Sequence, residues 1–252
     1  MTAEVIPAET GFPVDPLHQF VVNKIFPLEI GGIDASFTNS SLWMIAAVGV
    51  VAAFTIIGMS KRSMVPGRLQ STVEIFYEFV ANMVRDNAGH DAQRFFPFVF
   101  TLFMFIFAGN LIGLLPYSFT FTSHLIVTFG MALTVFVGVT IVGFMKHGFH
   151  FFKFFLPEGV PWFLTWLIVP IEILSYLSRP VSLSLRLFAN MTAGHTMLKV
   201  FAGFILLLGI AGIAPMVVVI ALTGLETIIA LLQAYVFAIL TCVYLNDALH
   251  MH

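Results

Sequence analysis

The chain has 252 residues, of which 59% are hydrophobic and only 10% charged; its mean hydropathy is +1.00 and its formal charge is −2. Soluble domains carry roughly 25% charged residues, so this composition describes an integral membrane protein with no basic surface for nucleic acid. The single cysteine, Cys242, excludes an internal disulfide and lies in an apolar run where it packs.

Taken in chain order, the first residues, MTAEVIPAETGFPVDPLHQF, lack the basic start and apolar core of a secretory signal and carry Glu4, Glu9 and Asp15. This acidic segment, residues 1–40, is expected outside. Residues 41–59 form an apolar first span, with Lys61 and Arg62 as a positive flank on the inner side. Over residues 68–90 the pattern changes: Leu69, Val73, Phe76, Val80, Met83 and Val84 recur at helical spacing, with Glu74, Glu78, Asn82 and Arg85 on another face. That reads as an amphipathic helix lying along the inner surface.

Residues 95–115 and 125–145 form a hairpin of spans across the segment PYSFTFTSH, and its return end carries Lys146, His147, His150 and Lys153. Pro157 and Pro161 open the next element, and no polar loop interrupts residues 161–208. At about 1.5 Å per residue such a helix far exceeds the bilayer, so it must tilt steeply or bend near Pro170 and Pro180. GIAGIAP makes a turn and residues 214–246 return. The expected fold is an all-α integral membrane protein of about five transmembrane helices plus one amphipathic interfacial helix. Its C-terminal half is a long tilted antiparallel helix hairpin. Residues 1–252 would form a single membrane domain with its N-terminus outside and its C-terminus inside.

Several polar residues fall inside these apolar helices. Arg186 stands out, because an ionised side chain at membrane depth costs from about 2.5 to well over 10 kcal/mol and therefore reads as functional. Glu172, Ser175, Arg179, Ser182, Arg186 and Asn190 share one stripe, while Ser184, Thr192, His195 and Lys199 form a second. Arg186 and His195 differ by about half a turn of net rotation, so one can face a partner while the other faces this subunit. On the last helix Thr223, Glu226, Gln233 and Thr241 share a stripe.

If the two helices turn back near Ile210, His195 and Glu226 lie at one depth, with Arg186 and Gln233 offset by about 3 Å along the axis. A histidine level with a carboxylate can exchange protons near neutral pH. Glu172 lies toward the inside, Arg186 near the middle, and His195, Glu226 and Asn110 toward the outside. A permanently charged arginine thus divides the polar residues into two half-paths, which suits stepwise proton delivery and not an open pore.

Structural alternatives exist for each group. Arg186 could be tied to Glu172 in a fixed ion pair, although they are four turns apart, and His195 with Glu226 could be a packing pair. Asn110 and Gln233 could simply join helices. Arg179 and Lys199 are expected to snorkel at the two interfaces. His147, His150, His250 and His252 lack carboxylate or thiolate companions at ligand spacing, so no metal is expected. The sequence contains no Walker-type glycine loop, GxSxG or HExxH, so neither nucleotide binding nor hydrolysis is assigned to it, and no cofactor is expected.

The run RPVSLSLRLFANMTAGH, from Arg179 to His195, resembles the signature of the subunit a family of F-type ATP synthases. DPLHQF near the start, FAGNLIGLLP from Phe107 to Pro116, and LETIIALLQAYVFAILTCVYL near the end extend that resemblance over essentially the whole chain. It implies a non-catalytic proton-channel subunit whose Arg186 faces the acidic residue of a rotating c-ring, with Asn190 and Gln233 as polar neighbours. Glu172 would belong to an inner half-channel, and Asn110, His195 and Glu226 to an outer one. The histidine and carboxylate stand in the order opposite to that of some family members. Gly113 stands where some members carry an acidic residue, which removes any ionisable role there. The implied partners are the c-ring, peripheral-stalk b-type subunits, the remainder of the synthase, the lipid bilayer and protons. The implied location is a bacterial inner membrane, or less favourably an organellar one. The competing class is an ion-coupled secondary transporter or an antiporter-like respiratory subunit; those show repeats or paired ionisable residues in both halves, and here the charges concentrate in the last two spans.

Overall fold

The computed structural model describes residues 18–27, 29–30, 33–34, 36–60, 63–115, 118–149, 151 and 162–250. The expectations for residues 1–17, for Lys61, Arg62, His150 and Lys153, for the prolines at 157 and 161, and for His252 lie outside the described residues.

The protein is all-α in character. Its only strands among the described residues are β1 (Lys24–Phe26), β2 (Glu29–Ile30), β3 (Ile33–Asp34) and β4 (Phe37–Thr38), paired antiparallel as β1 with β4 and β2 with β3. They lead into α1, Asn39–Met59, whose start is set by Thr38: its backbone is extended and its hydroxyl accepts from the Ser41 amide at 3.4 Å.

Helix α2, Arg68–Ala88, is amphipathic, burying Gln70, Val73, Val80, Met83, Val84 and Ala88. Leu69, expected on its apolar stripe, is instead 57% exposed. At that end the buried face is set by Gln70 and Val73, because Gly58 of α1 leaves room for the Val73 side chain. Two stretches, α3 (Phe96–Gly113) and α4 (Leu125–His147), are joined through a 3₁₀ turn at Phe121–Ser123.

Four stretches among the described residues are long and apolar enough to cross a membrane: Asn39–Met59, His90–Gly113, Leu125–His147 and Phe163–Leu249. The last holds two helices, α5 (Trp162–Leu208) and α6 (Ile213–Leu249). Helix α5 continues through Pro170 and Pro180 for 47 residues. At that length it extends about 70 Å, against a hydrocarbon core of about 30 Å, so both long helices must lie strongly inclined in a bilayer. The turn between them uses Gly209, whose φ of 55° is available to glycine without a Cβ clash.

The buried core lies where α2, α3, α4, α5 and α6 meet, around Val80, Val84, Phe103, Ile106, Val135, Leu187, Met191 and Phe237. Ala230, Ala234, Ala238 and Cys242 are fully buried along one stripe of α6, and such small side chains let helix backbones approach closely where no hydrophobic force drives association. A second close approach holds the Phe121–Ser123 turn against α3. Gly109 faces the Phe121 ring, and Gly113 faces Thr120.

The hairpin turn is packed tightly: a Cβ on Gly212 would stand 2.7 Å from the carbonyl oxygen of Ile205 and 3.2 Å from its Cα. Gly212→Val is therefore expected to destabilise the hairpin by about 1–3 kcal/mol, the scale of overpacking. Thermal unfolding of the detergent-solubilised protein measures this, and an unchanged midpoint would contradict it.

Candidate functional site

Helix α5 turns two chemically different faces in two directions. Leu183, Leu187 and Met191 are buried at four-residue spacing and hold the helix against the core, carrying Ser184 and His195 inward with them. Ser175, Ser182, Arg186 and Asn190 are exposed on the opposite side, and Glu172 is half-buried. Among the described residues no carboxylate lies within ion-pair distance of Arg186, so the fixed pair with Glu172 is not formed.

The inward face carries the polar cluster. His195 Nδ1 of α5 stands 3.5 Å from Glu226 Oε1 of α6, with the two side chains 8% and 4% exposed. The Gly209 turn makes the two positions level. A neighbour makes the approach possible: a Cβ on Gly194 would sit 2.6 Å from Glu226 Oε1 and 3.0 Å from its Cδ. Among the described residues, neither oxygen of Glu226 accepts a hydrogen bond. At this separation the two groups form an ion pair when the imidazole is protonated and the carboxyl ionised.

Around this pair the remaining expected residues take distinct places. Asn110 is fully buried on α3 and donates from Nδ2 to the carbonyl of Ala230, one turn from Glu226, at 3.4 Å. Gln233 is buried two turns along α6 from Glu226. Asn190 remains on the outward face, but a cavity of about 180 Å³ is lined by Asn190, Ala193, Gly194, Met197 and Glu226. That space joins the outward stripe to the buried carboxylate. Glu172 is far along α5 from this cluster.

Two threonines complete the surface of the cluster: Thr120, which the sequence pattern does not single out, and Thr192, which it places on the His195 stripe. Thr120 Oγ1 lies 3.0 Å from His195 Nε2, and Thr192 Oγ1 donates to the carbonyl of Ser123 at 3.3 Å. Thr120 sits in the turn between α3 and α4, 75 positions from His195, and no periodicity links the two. Gly194 carries a weak signal, a small residue directly before the histidine.

At the other end of the hairpin Arg179 does not snorkel freely. Its Nη1 pairs with Asp247 Oδ2 at 2.9 Å, and its guanidinium lies 5.0 Å from the centre of the Tyr244 ring and 5.5 Å from that of Tyr176. Tyr176 in turn hydrogen-bonds Thr140 of α4 at 2.7 Å. This knot ties α4, α5 and α6 together, Asp247 supplying the counter-charge and the two tyrosine rings cation–π contacts.

Compared with known proteins, residues 41–246 match the sequence model of a family described as ATP synthase A chain. The chain belongs to the ATP synthase A chain family. Its similarity to ATP synthase subunit a of Parvibaculum lavamentivorans is 62% identity over 247 residues, covering 95% of both chains. It is 56% identical over 238 residues to ATP synthase subunit a of Rhodospirillum rubrum, covering 94% of this chain and 99% of the relative. It is 59% identical over 243 residues to the subunit a of Chelativorans sp., covering 94% and 98%.

Within this member of the ATP synthase A chain family, Gly113 has a definite packing reason. A Cβ there would stand 2.6 Å from Thr120 Oγ1 and 2.8 Å from Thr120 Cγ2, so an acidic side chain at this position would displace the Thr120 turn.

The Arg179–Asp247 pair is partly buried and shared between helices, so its partners are expected to couple. In a double-mutant cycle of Arg179→Leu and Asp247→Leu on thermal stability, the coupling energy should reach about 1 kcal/mol or more. Strict additivity would show that the contact contributes nothing.

Proposed function

We propose that this chain is the proton-translocating stator subunit of an F-type ATP synthase, working within that complex in the inner membrane of a bacterium. The observation that carries the proposal is the division of α5: Arg186 points outward, unpaired with any carboxylate among the described residues, while His195 meets Glu226 behind it.

In this reading the outward stripe of Ser182, Arg186 and Asn190 faces the carboxylates of a rotating c-ring. A proton enters from the outer side past Asn110, reaches His195 and Glu226, and passes through the space beside Asn190 to a ring carboxylate. The neutralised carboxylate then travels through lipid, because an uncharged acid crosses hydrocarbon at far lower cost than an anion. On the return approach Arg186 favours the ionised ring carboxylate, and the released proton leaves toward Glu172. Gln233, buried near this crossing, offers an amide to the same polar path. Arginine keeps its proton throughout the working pH range, so it does not relay protons between the two half-channels and blocks a direct leak.

Each proton crossing a 100 mV potential supplies about 2.3 kcal/mol, so rotation must collect several before one ATP is made. Nucleotide chemistry then falls to other subunits of the complex. Peripheral-stalk subunits would hold this chain still against the ring.

Arg186→Ala in the assembled complex is expected to abolish ATP-driven proton pumping into inverted membrane vesicles; normal coupled pumping by that variant would overturn the assignment. For the buried pair, a double-mutant cycle of His195→Ala and Glu226→Ala on proton flux should show strong non-additivity, since each residue acts through the other. Independent, additive losses would mean that the pair is only packing.

A further inference from the structure

We propose that Thr120 is a positioning residue that sets the tautomer of His195 and so presents a bare Nδ1 to Glu226; this rests on the proton-path reading above. The argument starts at the end of α3. The carbonyl of Gly113 is among the last of that helix and has no donor within it, so it must be satisfied from outside. Two hydroxyls reach it: Ser118 Oγ at 3.0 Å and Thr120 Oγ1 at 3.2 Å. Ser118 has a shorter alternative, the carbonyl of Leu115 at 2.7 Å. In the proposed arrangement the Ser118 proton lies on Leu115 and the Thr120 proton on Gly113.

A threonine hydroxyl has one proton and accepts with its lone pairs. With that proton on Gly113, Thr120 Oγ1 can meet His195 Nε2 at 3.0 Å only as an acceptor. Nε2 must then carry hydrogen, which in a neutral imidazole leaves Nδ1 bare. Nδ1 is the atom 3.5 Å from Glu226 Oε1. A proton on Glu226 is thus offered directly to a lone pair, and the transfer breaks one O–H bond, forms one N–H bond and leaves imidazolium beside carboxylate. With the opposite tautomer Nδ1 would already hold hydrogen, and no proton could be taken up from Glu226 without a prior rearrangement.

Two glycines, one in α3 and one in α5, make room for these contacts. Gly113 gives Thr120 its seat, and Gly194 gives Glu226 its seat, so the histidine is held between two contacts that a methyl group on either glycine would push away. Thr120 is buried, 7% exposed, and its hydroxyl contacts are made to α3 and α5.

The test uses the intact synthase in inverted vesicles, with complex assembly checked for each variant. Thr120→Val keeps the shape and removes the hydroxyl, and should lower coupled pumping about tenfold, the scale of one lost buried hydrogen bond. Thr120→Ser restores the hydroxyl and should recover most of the rate. Gly113→Ala should reproduce the loss, and the double variant Gly113→Ala with Thr120→Val should be no worse than either single one. In parallel, ¹⁵N NMR of the wild-type complex labelled at histidine, with His195 assigned by difference against His195→Asn and recorded where the neutral ring is populated, should show Nε2–H with unprotonated Nδ1. A neutral His195 in the Nδ1–H form overturns the proposal without requiring any Thr120 variant to assemble. So does full pumping by Thr120→Val. If Arg186→Ala also pumps normally in the same vesicles, the proton-path reading itself fails; if only Thr120→Val does, the positioning role alone is lost.

Discussion

The polar interior of this protein depends on one close approach, that of α5 to α6 at Gly194. Ionisable groups are tolerated at membrane depth only where they face protein or one another, because lipid offers them no hydrogen-bond partner. At Gly194 the backbone of α5 comes near enough for the Glu226 carboxylate to lie against it, and the next residue, His195, closes over that carboxylate from the same helix. Moving either helix outward by the width of a methyl group would separate the pair.

From that contact the rest of the arrangement follows mechanically. The Gly209 turn makes the two positions level, and the alanine stripe on α6 brings α3 close enough for Asn110 to reach the Ala230 carbonyl. The Thr120 turn folds back over Gly109 and Gly113 and seals the histidine from the side away from Glu226. At the far end Arg179, Asp247, Tyr176 and Tyr244 fix the same two helices a second time. A hairpin held at both ends keeps its middle in register, and the middle is where Arg186 looks outward.

This division of labour separates charges by exposure. His195 and Glu226 are buried together, where their mutual effect is strong because the surroundings are poorly polarisable. Arg186 stands on the exposed side of the same helix. The cavity shared by Asn190 and Glu226 lies between the two sides. In the reading proposed above, this space would deliver protons to the rotor, with the fixed positive charge of Arg186 between the two half-paths.

Much of this was legible from residues alone. The membrane class follows from composition, the helices from apolar runs and their spacing, and the orientation of Arg186 opposite His195 from a rotation of about 100° per residue. The level pairing of His195 with Glu226 was also readable, because an antiparallel hairpin with a located turn obeys simple arithmetic along its axis. What the chain order could not reveal were contacts made by irregular backbone. Thr120 reaches His195 from a turn with no period. Between the two regular helices Asp247 captures Arg179, where sequence hydropathy alone suggested a cation reaching for the interface. Leu69 likewise follows the apolar stripe in sequence yet lies exposed, since the buried face at that end is chosen by Gly58 of α1. The sequence by itself determined which residues lie on one helix face, because that needs only the helical repeat. Only the tertiary structure decided which faces touch and which glycines admit them, because close packing depends on atoms that are distant along the chain.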